Sequence, residues 1–514
     1  MRAAGVFLLL LFSWSAPAQT IAGPTESVFP APLAAHVFAT AYAFMAPRTL
    51  EPVSIPRLAI WLLHGFAVLD PSLSAEQQDD AVVLRAGGQI VLSRPAPGES
   101  DASAWGDVTA ALAARAWEVS ALVRRGGAQG LIRGLFDELF THLDPYSRYS
   151  PPGEIEIDRQ GRRSDGGLGL ILGQGASDVV IQDVLAGSPA ARSGVPPGAS
   201  LIALEGEPLA HADPVIVAAM LAGPPETHVR IVIRTHEGRR QTLDLVRALV
   251  PPQTVFASTA PDDLLILRLT GFQRGTSQQL VAALDGAFAG HTRPRGLVLD
   301  LRGNRGGFLQ QSVDIVGALL GSGLIATTAG RDPAANRVLV ADAEAHADDV
   351  PVAVLVDGRT ASAAEITAAA LADNRRAVVI GSATLGKGLM QTVTTLPDGG
   401  ELYVTWSRVL APLGWPIQDL GVFPQLCTSL GAVALAQELD ALDRGDRPLA
   451  QALAAQRTAR APVAPNIVLE IRSACPAALG TDADIEAAHY LLTHPVAYGN
   501  ALLPAQFLPA TSIP

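Results

Sequence analysis

The sequence predicts a multi-domain α/β protein: an α/β core, a β-rich domain inserted ahead of it, and a helical N-terminal region. Three observations lead there. From Leu264 onward, short apolar runs alternate with stretches of helical spacing. Between Asp165 and Leu249 the pattern is instead short strands broken by glycine and proline. Before His142, apolar residues recur mainly at helical intervals. At 514 residues, 49% hydrophobic and 17% charged, the chain can bury several cores.

Residues 1–18 carry one arginine, an apolar Val6 to Trp14 and Ala16-Pro17-Ala18, the pattern of a secretory signal cut after Ala18. An exported, periplasmic protein is expected, with an uncleaved membrane anchor as the alternative. In the helical region, residues 26–150, helices are expected over Leu33–Met45, Pro56–Leu69 and Ala104–Arg125, and a hairpin over Val82–Leu92 turning at Gly87-Gly88. This region reads as a helical platform or a homodimer contact. Residues 165–249 form the β-rich domain. The α/β core, residues 250–425, is expected to run strand Leu264–Leu269, helix Ser277–Phe288, strand Gly296–Leu301, helix Leu309–Leu319, strand Val352–Val356, helix Ser362–Ala372, strand Ala377–Ile380. After it, residues 426–514 hold helical runs Gly431–Leu442 and Asp484–Leu492, an extension to which the sequence assigns no role.

Composition excludes some functions. The net charge of −12 and the lack of a basic run argue against nucleic acid as a partner. The ten histidines form no HExxH or other metal spacing, and no Gly-x-Ser-x-Gly elbow occurs, so neither a metal nor another cofactor is expected. Cys427 and Cys475, 48 residues apart, either pair, which would contribute about 4 kcal/mol in the chain-entropy model, or stay as buried thiols.

Of 37 basic side chains, Lys387 is the single lysine. A chain that uses arginine everywhere else keeps a lysine where arginine fails. Guanidinium stays protonated, whereas an ammonium whose pKa is lowered by burial works as a general base. Twenty-five positions upstream stands Ser362, a nucleophile in need of a base. Two other readings remain. Ser362 and Glu365 fit a capping box before Ile366–Leu371. Gly381 to Lys387 has P-loop spacing, although Gly388 stands where a P-loop needs Ser or Thr and the following Leu389–Thr394 reads as strand, not helix.

Thr360-Ala361-Ser362-Ala363-Ala364-Glu365, Gly386-Lys387-Gly388 and Gln391 together resemble the carboxy-terminal processing (tail-specific) serine peptidases. Leu143-Asp144-Pro145-Tyr146-Ser147-Arg148-Tyr149, Leu299 to Gly307 and Pro416-Ile417-Gln418 through Pro424 follow in that family's order, so the resemblance covers roughly residues 131–425. It implies that Ser362 is the nucleophile, Lys387 its base and Gln391 the residue that orients the lysine. Ala363 and Gly307 would give the two oxyanion N–H groups, with Gly306 as the alternative donor. Four residues of straight strand span about 13 Å, so a bend at Gly388 is expected if Lys387 and Gln391 are to meet. Gly167-Leu168-Gly169-Leu170-Ile171-Leu172, Gly187-Ser188-Pro189-Ala190 and Gly194 to Gly198 look like a PDZ domain, whose backbone at Leu168, Gly169, Leu170, Ile171 and Leu172 would hold a terminal carboxylate and an extended peptide. Substrates are then proteins or peptides with free C-termini, and a regulatory adaptor is a further expected partner. The competing function is a catalytically silent PDZ scaffold.

Overall fold

A computed structural model describes residues 28–155, 166–175, 178–290 and 292–505; the expected signal peptide lies outside the described residues. The chain divides into two compact units, residues 1–42 with 55–142, and residues 43–54 with 143–514.

The first unit contains helices Ile55–Leu63, Gly65–Leu69, Ala102–Val119, Ala121–Arg125 and Gly127–Thr141, and a three-stranded antiparallel sheet of Leu73–Gln78, Ala81–Ala86 and Gln89–Pro95. Helix Ala31–Met45 precedes them. The helix expected from Ala104 to Arg125 is two helices, because Ser120 takes extended backbone and caps the second: its Oγ accepts from Val123 N–H and donates to Asp70 Oδ2 at 2.6 Å. The hairpin turns at Gly87-Gly88 as expected, and gains Leu73–Gln78 as a third strand.

In the second unit, residues 166–249 form a sheet ordered Arg240–Val246, His228–Arg234, Ser200–Leu204, Val179–Val184, Leu170–Gln174, with helices Pro189–Arg192 and Pro214–Leu221. Leu170–Gln174 is therefore an edge strand. Leu168, Leu170 and Leu172 point into the domain's own core with Val217, Ile231 and Ile233.

The α/β core is a sheet ordered Val255–Ala260, Leu264–Leu269, Gly296–Asp300, Val352–Val356, Ala377–Gly381, Leu426–Cys427, antiparallel in its first pair and parallel thereafter. Its three central strands are buried at every residue, the reason they read as unbroken apolar runs. Leu297, Leu299, Val354 and Val379 face helices Thr276–Phe288, Leu309–Leu320 and Ala363–Asp373. Val298, Ala353, Leu355 and Val378 face the opposite way, onto Leu435, Leu442, Ala488 and Leu491. The region after 425 is thus no appended extension. It supplies the sixth strand and, through helices Ala432–Asp443 and Asp482–Thr493, the cover on the sheet's second face. An apolar sheet face cannot stay in water, so a boundary at 425 would leave this one bare. A second sheet, ordered Arg337–Asp342, Ser322–Gly330, Glu401–Leu410, Leu389–Thr395, carries Arg148–Ser150 against Glu401–Leu410. Cys427 and Cys475 form a disulfide, Cα–Cα 5.8 Å.

Candidate active site

Ser362 sits on the turn between strand Val352–Val356 and helix Ala363–Asp373 with φ 57° and ψ −119°. A serine in that region is strained by an amount of order 1–3 kcal/mol, and such strain persists only where the surroundings over-determine it. They do so here through Glu365, which is fully buried. Its Oε2 accepts from the N–H of Ser362 at 2.8 Å and of Lys387 at 2.9 Å, and its Oε1 from Gly386 N–H at 2.6 Å and from Thr384 Oγ1. One carboxylate thereby ties the Ser362 turn to the Lys387 loop. Burial pushes the Glu365 pKa up, and the bonds from Thr384, Gly386, Lys387 and Ser362 oppose it. The sequence reading took Glu365 only as a capping partner.

The loop Asn304 to Gly307 runs against this turn. A Cβ on Gly307, at φ 150°, would stand 2.2 Å from Phe272 O, so only glycine passes there. Gly306 N–H donates to Asn304 Oδ1 at 2.8 Å. Gly307 N–H has no hydrogen-bond acceptor among the described residues, and Ala363 N–H lies in the first helical turn, where donors have no intrahelical partner.

Lys387 precedes the strand Leu389–Thr395, not a helix, so the Gly381 to Lys387 loop lacks the helix N-terminus that a P-loop offers phosphate. Its Nζ lies 5.1 Å from the centre of the Tyr146 ring and, among the described residues, makes no ion pair. Tyr146 has its pKa raised, chiefly by burial, then by the charges of Asp419, Glu365 and Asp144. The strand Leu389–Thr395 has a register shift between Met390 and Gln391, and Gly388, where a bend is expected from the sequence, lies just before it. Gly388 is constrained differently: a Cβ there would fall 2.2 Å from Gln418 N.

Gly307, Ser362, Ala363, Lys387 and Gln391 all line one cleft of about 260 Å³, together with Leu309, Ile366 and Met390. No hydrogen bond joins the side chains of Ser362, Lys387 and Gln391 to one another. Gln391 Nε2 instead donates to Thr405 Oγ1 at 3.1 Å, Thr405 Oγ1 to Asp144 Oδ1 at 2.6 Å, and Ser147 Oγ to Asp144 Oδ2 at 2.5 Å. Asp144, Ser147 and Thr405 are supporting residues that no site reading of the sequence had named. Their signal was the Leu143 to Tyr149 motif, whose partner strand is 261 residues away.

The loops behind the cleft are held by the region after 425. Gly358 N–H donates to Ala478 O at 2.8 Å, and Ser382 Oγ to the same carbonyl at 3.0 Å. Arg302 reaches Asp484 at 3.0 Å and Thr481 O at 2.6 Å while paired to Asp300 at 2.7 Å.

At the edge strand Leu170–Gln174, Gly169 has φ 76° and Ser188 packed where a Cβ would go. The free side of that strand is occupied at Leu172: Gln253 Oε1 accepts from Leu172 N–H at 2.8 Å and Gln253 Nε2 donates to Leu172 O at 2.8 Å.

Residues 263–427 match Peptidase family S41. The chain is 31% identical over 305 residues to a carboxy-terminal-processing protease of Bartonella bacilliformis, 58% of this chain and 69% of that one. It is 31% identical over 315 residues to a carboxyl-terminal-processing protease of Synechocystis, 59% and 72%. A solved photosystem II D1 C-terminal processing protease is similar at 25% identity and a TM-score of 0.38, over 74% of this chain and 97% of that one. The protein is a serine-type endopeptidase. It belongs to the carboxy-terminal processing proteases of peptidase family S41. Among the described residues no helix is long and apolar enough to cross a membrane.

Proposed function

We propose that this is an exported, tail-specific endopeptidase that takes substrate C-termini on the 165–249 domain, read as a PDZ domain, and cuts with a Ser362/Lys387 dyad. The observation that carries the reading is the meeting of Ser362, Lys387, Gln391, Ala363 and Gly307 on one cleft. Neutral Lys387 takes the proton of Ser362 Oγ as the oxygen attacks the peptide carbonyl carbon. Ala363 and Gly307 N–H groups hold the oxyanion; Gly306 is a poorer donor because Asn304 already engages it. Collapse breaks the C–N bond, and the lysine ammonium gives its proton to the leaving amine. Water, deprotonated by Lys387, then releases the acyl group and restores Ser362. Gln391, anchored through Thr405 and Asp144, lines the same cleft as the lysine, from the strand that begins two residues after it. A free C-terminal carboxylate would meet the backbone around Gly169, with the peptide pairing along Leu170 to Leu172.

The test is incubation with proteins that differ only in their last residues, with products read by mass spectrometry. Tails ending in small or apolar residues should be cut faster than charged or amidated ones. Equal rates for free and amidated tails would remove tail capture while leaving the peptidase in place. A silent scaffold would bind such tails and release no fragment.

A further inference from the structure

The helical unit holds a side-chain cluster that peptide cleavage does not use. His64 lies at the junction of helices Ile55–Leu63 and Gly65–Leu69; Glu138 and His142 stand one turn apart at the end of helix Gly127–Thr141. The junction approaches that helix because residue 65 is glycine. A Cβ there would be 2.9 Å from Gly134 O and 3.0 Å from Leu135 Cα. One turn past that contact come Glu138 and then His142.

Each of the three offers one ligand atom, and these atoms lie within 4.8 Å of one another. His142 Nε2 is 3.3 Å from Glu138 Oε1. Two ligands on a tetrahedral ion with bonds of about 2.0–2.2 Å sit about 3.4 Å apart, so this pair already has ligand spacing. Trp61 stacks on the His142 ring, centroids 4.9 Å apart and planes at 11°, which fixes the imidazole plane. The His64 ring meets it edge-on at 6.2 Å. The His142–Glu138 pair is already at ligand spacing and His64 is exposed, so the closure of up to about 1.4 Å still needed falls on the His64 side chain.

We propose that His64, Glu138 and His142 bind one divalent transition-metal ion of the zinc type, with the fourth position open to water. Two imidazoles and one carboxylate suit such ions and not magnesium or calcium, which take all-oxygen sets. A bare ion pair between Glu138 and protonated His142 explains the 3.3 Å contact but gives His64 no part. Bound metal would clip the 64–65 junction to the end of the helix that carries Glu138 and His142. No spacing rule finds this site in the sequence, because its third ligand comes from a separate helix.

Metal-stripped full-length protein carrying Ser362→Ala would be titrated with zinc against a chromophoric chelator, and with cobalt(II) by visible spectroscopy. One equivalent of zinc, cobalt bands of a low-coordinate site, and a rise in unfolding temperature are expected. His64→Gln and Glu138→Gln should each weaken zinc binding about tenfold or more, and magnesium should neither bind nor compete. Both replaced side chains reach solvent, so the variants are expected to fold, which circular dichroism checks. Binding that is equal in wild type and His64→Gln would overturn the site, as would no binding beyond that of the triple variant His64→Gln, Glu138→Gln, His142→Ala.

Discussion

The cleft around Ser362 and the edge strand Leu170–Gln174 both present backbone groups, and these are held in opposite ways. At the cleft, one buried carboxylate collects four donors and fixes two loops at once. At the edge, the backbone groups of Leu172 are met by one carboxamide, that of Gln253. Where charge develops during a reaction, groups must already be in place, since reorganisation would consume the gain. Where a ligand must enter, the groups it will use can be covered only by something that leaves cheaply.

Breaking the cleft should have the largest effect. Ser362→Ala and Lys387→Arg should each lower cleavage about a thousandfold or more, the double variant no further, with unfolding near wild type. Arginine keeps the charge and has no neutral fraction near pH 7, so full activity in Lys387→Arg would sink the dyad. Next comes the knot itself. Glu365→Gln turns one acceptor into a donor aimed at N–H groups, and should lower kcat about a hundredfold with KM little changed, because the reacting groups lose their alignment. An unchanged kcat would show that the two loops hold their places without it. At the edge the effect should be small and of opposite sign. Gln253→Ala removes the competitor, so a peptide with a free apolar C-terminus should bind about fivefold tighter by calorimetry, the worth of about one hydrogen bond. Unchanged affinity would mean that bound peptides do not use Leu172.

The smallest effect on cleavage, none, is expected at Glu438, a buried carboxyl with one donor, Cys427 N–H at 3.0 Å, where Glu365 has four. Burial pushes its pKa from 4.5 up to about 7, against that one bond. Below pH 4.5 both folded and unfolded chains carry the proton. Between 4.5 and about 7 the unfolded chain loses it first, so stability falls as pH rises. Glu438→Gln keeps the acceptor for Cys427 and should abolish that slope, seen as melting curves that diverge from wild type between pH 4.5 and 7. Parallel curves would contradict the burial assigned to this carboxyl.

The core strands were legible because they are buried on both faces, as in Val352–Val356, and helices such as Leu309–Leu320 kept their apolar stripe. Ser362 and Lys387 stood out by residue chemistry alone. Glu365 did not, because a capping glutamate and a glutamate that collects donors from two loops look the same in one dimension. Strands Ser322–Gly330 and Glu401–Leu410 were missed since their pairing is set across long sequence gaps. The same holds for the region after 425: its helices were read, but the sheet face they cover is written mostly in strands far upstream of them.

That last arrangement has a consequence in time. Contacts that hold the loops behind the cleft, Gly358 with Ala478 and Arg302 with Asp484, join segments up to 182 residues apart. A ribosome adding about 5–20 residues per second needs roughly 6–24 s to travel from Ser362 to Asp484. Through that interval the Ser362 turn exists without its outer brace, and the second face of the sheet lacks its full cover. A chain still being made therefore holds the Ser362 turn without the contacts that Ala478 and Asp484 later supply to the loops beside it.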